Sequence, residues 1–150
     1  MFYYALFVII IGVDQLTKAL VRRGLPLHQT VTVIPGVLSF TRINNPGAAF
    51  GILSHRTFFL TVMPLVLFSL VFLFRKEIAQ YPISFRFGLA LCLGGAAGNV
   101  IDRLWNGGQV IDFIDLDFWP LDNFPLFNLA DTAIFIGAVL ILICITRLQD

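Results

Sequence analysis

Phe85-Arg86-Phe87-Gly88-Leu89-Ala90-Leu91-Cys92-Leu93-Gly94-Gly95-Ala96-Ala97-Gly98-Asn99-Val100-Ile101-Asp102-Arg103 decides the fold class. As a helix it is long enough to cross a hydrocarbon core, which takes about 20 residues. Its middle is a run of small residues containing a G-x-x-x-G spacing at Gly94 and Gly98, which lets a second helix backbone approach closely. That feature reads as packing. Its end is polar instead: Asn99, Asp102 and Arg103 stand at i, i+3 and i+4 and share one side of the helix.

Working outward, three further apolar stretches have the length of a span, giving four in all at roughly residues 2–21, 57–74, 85–103 and 128–147. The last is short if counted from Thr132 and reaches full length only from Asn128. The composition agrees, with 58% apolar and 13% charged residues in a chain of 150, where a soluble domain is about a quarter charged. One integral membrane domain over residues 1–150 is expected. A net charge of +1 offers no basic stripe for nucleic acid. The first twenty residues lack a basic n-region and carry Asp14 and Lys18, so they are expected to be a retained span and not a cleaved leader. Cys92 and Cys144 sit in apolar runs and read as small hydrophobes.

An even number of spans puts both termini on one side. Arg75, Lys76 and Arg86 fall in or beside the short connection after the second span, and Arg147 closes the fourth, whereas residues 104–131 hold five aspartates and no Lys or Arg. The positive-inside bias therefore expects cytoplasmic termini, against which Arg22, Arg23, Arg42 and Arg56 count around the first outer loop. In that loop the alternation of Val31, Val33, Val37, Ser39 and Thr41 about Pro35-Gly36 predicts a hairpin on the membrane face with a type II turn. The second outer loop, residues 113–127, mixes five aromatic residues with Pro120 and Pro125, a composition suited to the headgroup layer and unsuited to one continuous helix.

A charge at the bilayer centre costs about 2.5 to 3.5 kcal/mol even on insertion scales, so each polar residue in a span needs a reason. Asp14 and Lys18 are an acid-before-base i,i+4 pair, either a structural ion pair or a substrate-facing group. Asn99, Asp102 and Arg103 are either an Asp–Arg pair at the interface or a scaffold for a substrate backbone and catalytic carboxylates. Asp112 follows the Gly107-Gly108 turn among apolar neighbours, which hold it near membrane depth. Asp131 precedes the fourth span, where capping of helix N–H groups is the simpler reading and catalysis the other. Asp115, Asp117 and Asp122 read as solvated loop charges.

Two carboxylates close together in a partly dry site share a proton and serve as general acid and base without metal or cofactor. Zinc and serine chemistries lack their motifs: there is no H-E-x-x-H and no G-x-S-x-G, and the only histidines are His28 and His55. A channel or transporter lined by the polar residues is the competing reading, although the second span offers only Thr57, Thr61 and Ser69. A non-enzymatic assembly factor built on the glycine-rich span is a third.

Five blocks in order resemble the bacterial lipoprotein signal peptidases, also called signal peptidase II. They are Asp14-Gln15-Leu16-Thr17-Lys18, Asn45-Pro46-Gly47-Ala48-Ala49-Phe50-Gly51, Gly98-Asn99-Val100-Ile101-Asp102-Arg103, Val110-Ile111-Asp112-Phe113 and Phe127-Asn128-Leu129-Ala130-Asp131. The resemblance implies an all-α membrane protein of four transmembrane helices with an extracytoplasmic β-hairpin or β-cradle and an aromatic-rich, partly helical outer loop. It implies an aspartic endopeptidase of the bacterial inner membrane that cuts diacylglyceryl-modified prolipoproteins before the lipidated cysteine. Asp112 and Asp131 fall on the catalytic pair, and Asn99, Arg103, Asn128, Asn45, Asp14 and Lys18, with Asp102 beside them, on supporting or substrate-contacting positions. The implied partners are prolipoprotein substrate and membrane lipid. No cofactor, metal or oligomeric partner is implied.

Overall fold

The structure, a computed structural model, describes residues 2–47, 53 and 56–147. Its elements run α1 (Phe2–Gly24), β1 (Thr30–Ile34), β2 (Leu38–Asn45), α2 (Thr57–Leu73), α3 (Arg75–Ile78), α4 (Ile83–Trp105), β3 (Val110–Leu116) and α5 (Leu129–Arg147). Among the described residues three helices, α1, α4 and α5, are long and apolar enough to cross a membrane. The expected span at 57–74 is helical and apolar, but α2 has 17 residues. At 1.5 Å per residue that is about 26 Å against a hydrocarbon core of about 30 Å. The helix breaks at Phe74, and the expected plain connection contains the one-turn helix α3, which carries Arg75 and Lys76.

Burial is inverted relative to a water-soluble bundle. Among the described residues, the largest fully buried side chains are the polar Lys18, Asn128, Asp14, Asp102 and Asp112 and the apolar Ile111. Phe58, Phe72, Phe135 and Leu142 instead lie exposed on the outer helix faces. Water would penalise that arrangement on both counts, whereas lipid around the helices removes the cost of the apolar exterior.

α4 is the central helix and packs on α1, α2 and α5. Its small residues permit the approach. A Cβ on Gly94 would lie 3.0 Å from Ile10 of α1, and one on Gly88 would lie 2.8 Å from the Gly137 carbonyl of α5. A Cβ on Gly95 would overlap the Ala130 carbonyl, and one on Gly98 would overlap the Asp14 carboxylate. The glycine run is therefore more than packing, because Gly98 makes the space that a buried charge occupies. Cys92 and Cys144 are free thiols within the same bundle.

The expected hairpin is present. β1 and β2 pair antiparallel, and the Ile34 carbonyl accepts the Val37 N–H at 3.0 Å across Pro35-Gly36, with Gly36 at φ 68° as a type II turn requires at its third residue. The sheet has a third strand that the hydropathy pattern hides: β3 pairs antiparallel with β2, giving the order β1-β2-β3. Residues 110–116, partly assigned from sequence to an aromatic outer loop, are thus strand. The remaining stretch, 117–127, has turns and no helix in place of the partly helical segment, since Pro120 and Pro125 cannot donate to a helical ladder. Asp115 and Asp117 are not free loop charges either: Thr41 donates to Asp115 at 2.7 Å and Ser39 donates to Asp117, closing the β2–β3 ladder.

One turn fixes how β3 meets the bundle. Gly107 and Gly108, at φ 60° and 86°, end α4, and the Gly108 N–H returns to the Arg103 carbonyl at 2.9 Å, the six-to-one bond of a Schellman end. Thr57, opening α2, donates to the Gly108 carbonyl at 3.3 Å.

Close backbone approach makes a prediction. Gly95→Ala should destabilise the fold by about 1 to 3 kcal/mol, because the added methyl meets backbone that must move. Gly12→Ala, with nothing within 4 Å of its Cβ, should be neutral. Thermal unfolding of both variants in the same detergent checks the contrast.

Candidate active site

Helix α1 supplies the floor of the site. The i,i+4 spacing stacks Asp14 and Lys18 on one face, and α4 presents Asp102 to the same point, so Lys18 Nζ lies 2.9 Å from Asp14 Oδ2 and 2.9 Å from Asp102 Oδ2. All three are at most 2% exposed. Of the two readings open for Asp14 and Lys18, this geometry is that of a structural ion cluster. Gln15, which sequence reasoning passed over, ties it together by donating to Asp14, the Gly98 carbonyl and Asp102 at 3.1 to 3.2 Å. Its place within Asp14-Gln15-Leu16-Thr17-Lys18 was the available signal.

The Asp–Arg alternative at the end of α4 does not form. Neighbours in sequence point apart on a helix. Asp102 turns to Lys18 and accepts the Ile111 N–H of β3 at 3.1 Å, while Arg103 Nη2 donates to the Gly47 carbonyl at 2.8 Å. The second motif block extends beyond Gly47 through residues 48–51, which lie outside the described residues.

The cluster's outer contact is Asn99. Its Oδ1 accepts from Lys18 at 2.9 Å. Lys can only donate, so the amide nitrogen must face away, and it donates to Asp131 Oδ1 at 2.8 Å. Asp131 is the third residue of α5 and accepts the Asn128 N–H at 3.2 Å, while Asn128 Oδ1 accepts the Asp131 N–H at 2.9 Å. This is a reciprocal capping box, so the capping reading of Asp131 holds. Asp14 completes the cap from α1 by accepting the Ala130 N–H at 3.0 Å. One oxygen of Asp131 therefore serves the helix while the other is held by Asn99.

Asp112 arrives from the sheet. Asn45 pairs with Val110 across β2 and β3, so Asp112 is its same-face diagonal neighbour, and Asn45 Nδ2 donates to Asp112 Oδ2 at 2.8 Å. Asn128 Nδ2 donates to Asp112 Oδ1 at 2.7 Å. Asn128 thus touches both carboxylates and is itself fully buried. Burial pushes the Asp112 carboxyl up to about 7, and the charge of Asp131 adds to the rise, against the hydrogen bonds from Asn45 and Asn128.

All nine residues singled out from sequence thus fall in one connected network at one end of the bundle. The three hydroxyls of α2 do not extend it along the membrane: Thr61 and Ser69 bond their own helix at 2.9 Å, and Thr57 bonds Gly108. No path of polar groups through the bundle is built from α2. Among the described residues, no three His, Cys, Asp or Glu side chains are grouped to hold a metal ion.

The network lies at one end of a bundle whose helices are long and apolar enough to cross a membrane, and comparison with known proteins gives first a class, a membrane-bound peptidase, and then the family. The model of signal peptidase II matches residues 6–147. The lipoprotein signal peptidases of Staphylococcus aureus strains JH9 and Newman are each 40% identical over 144 residues, 95% of this chain and 85% of theirs. A solved bacterial membrane enzyme at 2.3 Å superimposes with a TM-score of 0.88 at 33% identity, over 97% of this chain and 87% of its own. A second, at 1.9 Å, gives 0.83 at 33% identity over 95% and 91%. The chain belongs to the signal peptidase II family.

Removing one member of the ion cluster should be costly. Lys18→Met leaves two buried carboxylates facing each other and should cost about 3 to 5 kcal/mol of stability. Denaturant unfolding in detergent micelles, compared with the exposed Lys76→Met, measures it.

Proposed function

We propose that the chain carries out its family's reaction, removal of the signal peptide from prolipoproteins, as an aspartic endopeptidase whose catalytic pair is Asp112 and Asp131. The observation that carries the reading is the bridge through the buried Asn128, which bonds both a buried strand carboxylate, Asp112, and a half-buried helix carboxylate, Asp131. The pair holds one proton. Its ionised member takes a proton from water, the protonated member donates to the scissile carbonyl oxygen, and the water oxygen adds to the carbonyl carbon. Collapse of that adduct breaks the C–N bond as the acquired proton passes to the leaving amine, while an adduct hydroxyl returns its proton to the other carboxylate, re-forming the carbonyl and restoring the shared proton. Asn45, Asn99 and Asn128 hold the carboxylate oxygens in place, and Lys18, Asp14 and Asp102 fix Asn99 and β3 beneath them. Arg103 positions the loop at Gly47.

The substrate reading is a diacylglyceryl-modified prolipoprotein cut before its lipidated cysteine. A site at the end of the bundle suits a substrate whose signal peptide and acyl chains both stay in lipid. α2 serves as a fourth, short span, with α3 continuing its end towards the interface. The termini and α3 then lie in the cytoplasm, by the positive charge at Arg75, Lys76, Arg86 and Arg147, and the acidic end with the sheet lies outside. The exposed Val31, Val33 and Ile34 of β1 suit contact with the outer membrane face. The whole chain acts as one domain of the inner membrane.

Cleavage of a purified diacylglyceryl-modified prolipoprotein, read by mass spectrometry, tests the pair. Asp112→Asn and Asp131→Asn should each lose at least about 10²-fold in rate while remaining folded. Cleavage by both variants at the wild-type rate would sink the assignment. The pH profile is a separate test. Because Asp112 titrates at about 7, the shared proton is present below that pH and lost above it, so kcat/KM should fall about tenfold per pH unit on the alkaline side. A rate still rising through pH 9 would contradict a shared proton.

A further inference from the structure

The end of the bundle away from Asp112 and Asp131 carries a second feature that the peptidase reading leaves unused. A cleft of about 460 Å³ opens between the start of α1, the end of α2, the turn α3 and the start of α4. Its walls are apolar, formed by residues such as Tyr3, Phe68, Phe72 and Leu89, with two cations among them, Arg75 and Arg86. Among the described residues no carboxylate lines it; Glu77, on α3, is outside its lining.

Both guanidinium groups are fixed by aromatic rings. Arg75 lies 4.6 Å from the centre of the Phe72 ring and donates to the Phe72 carbonyl at 3.0 Å. Arg86 lies 5.5 Å from the centre of the Tyr3 ring, and its Nε is buried without a hydrogen-bond partner among the described residues. Leaving a charged donor unsatisfied in a buried position is costly, and it marks a place for an acceptor. Two held cations in the lining of an otherwise apolar groove match an amphipathic anion, and guanidinium groups match phosphate oxygens in a fork-to-fork geometry.

We propose that this cleft binds an anionic phospholipid, with its phosphate between Arg75 and Arg86 and an acyl chain along the aromatic wall. The charge chooses among occupants. A signal peptide brings a basic n-region to its end, which two arginines repel. A zwitterionic lipid brings a cationic headgroup that the same pair disfavours, whereas the phosphate of an anionic lipid is unopposed. The site is built from different helix ends than the catalytic pair, so its occupancy does not rest on the aspartate assignment.

Native mass spectrometry of the whole detergent-purified protein titrated with dioleoylphosphatidylglycerol or dioleoylphosphatidylcholine tests this. Wild type should retain the anionic lipid preferentially. Arg75→Gln and Arg86→Gln should each weaken that binding about fivefold, the effect of one cation at an anionic lipid surface, while phosphatidylcholine binding stays unchanged. Arg22→Gln, at the opposite end of α1, should leave it at the wild-type level. Arg75 is surface-exposed, so Arg75→Gln remains informative if Arg86→Gln unfolds. Equal retention of the two lipids overturns the proposal, as does an Arg22→Gln loss equal to that of Arg75→Gln, or displacement of the lipid by a lipidated prolipoprotein.

Discussion

The ammonium of Lys18, held between Asp14 and Asp102, is the constraint on which the rest of the structure depends. All three charges are buried, so protein groups satisfy them, and each spends its remaining capacity on a different element. Asp14 accepts from the first turn of α5, Asp102 accepts from β3, and Lys18 donates to Asn99, which in turn holds Asp131. One ion cluster therefore fixes the start of a helix, the position of a strand and the orientation of an amide. Helices in lipid gain little from apolar contact with one another, which makes such polar links the main source of specific geometry.

The charge count around the cluster also bears on the chemistry. Asp14, Asp102, Asp112 and Asp131 face Lys18 and Arg103, so full ionisation would leave two uncompensated negative charges in one buried network. Holding a single proton on the outer pair halves that excess. Burial and the charge of Asp131 raise the titration of Asp112, and the cations do not cancel that rise: Lys18 is committed to the inner carboxylates, and Arg103 donates to Gly47. Neither cation forms an ion pair with Asp112 in the way Lys18 does with Asp14. A lysine placed at the outer pair would ionise both carboxylates and remove the acid.

Much of this was readable from sequence where periodicity carried it. The i,i+4 pair on α1 and the Pro35-Gly36 hairpin follow from spacing or turn chemistry, and their partners in space agree with it. What spacing could not supply was pairing between distant segments. Lys18 rather than Arg103 is the partner of Asp102, because the choice depends on which helix lies against α4, and Gly98 alone hints at that by leaving room for Asp14. β3 was hidden for a related reason. Val110, Ile111 and Phe113 are buried on both faces, so the run lacks the alternation of a half-exposed strand and reads as a loop rich in apolar groups. The length of α2 was overestimated because apolar composition continues through Phe74, where the backbone leaves the helix.

Asn128 shows why capping does not compete with the catalytic role proposed for Asp131. A helix start needs acceptors for its free N–H groups, and a carboxylate at the third position meets that need with one oxygen only. The second oxygen is then presented at a fixed angle, because the capping box has already immobilised the side chain. Asn128 supplies the reciprocal half of the box through its own Oδ1 and directs its Nδ2 to Asp112. The distance between the two carboxylates is therefore set by a single rigid residue that the helix would require in any case. A protein that must hold two like charges together in lipid gains by building them into the cap, where the N-terminal dipole of α5 favours negative charge and the backbone has no other partners to offer.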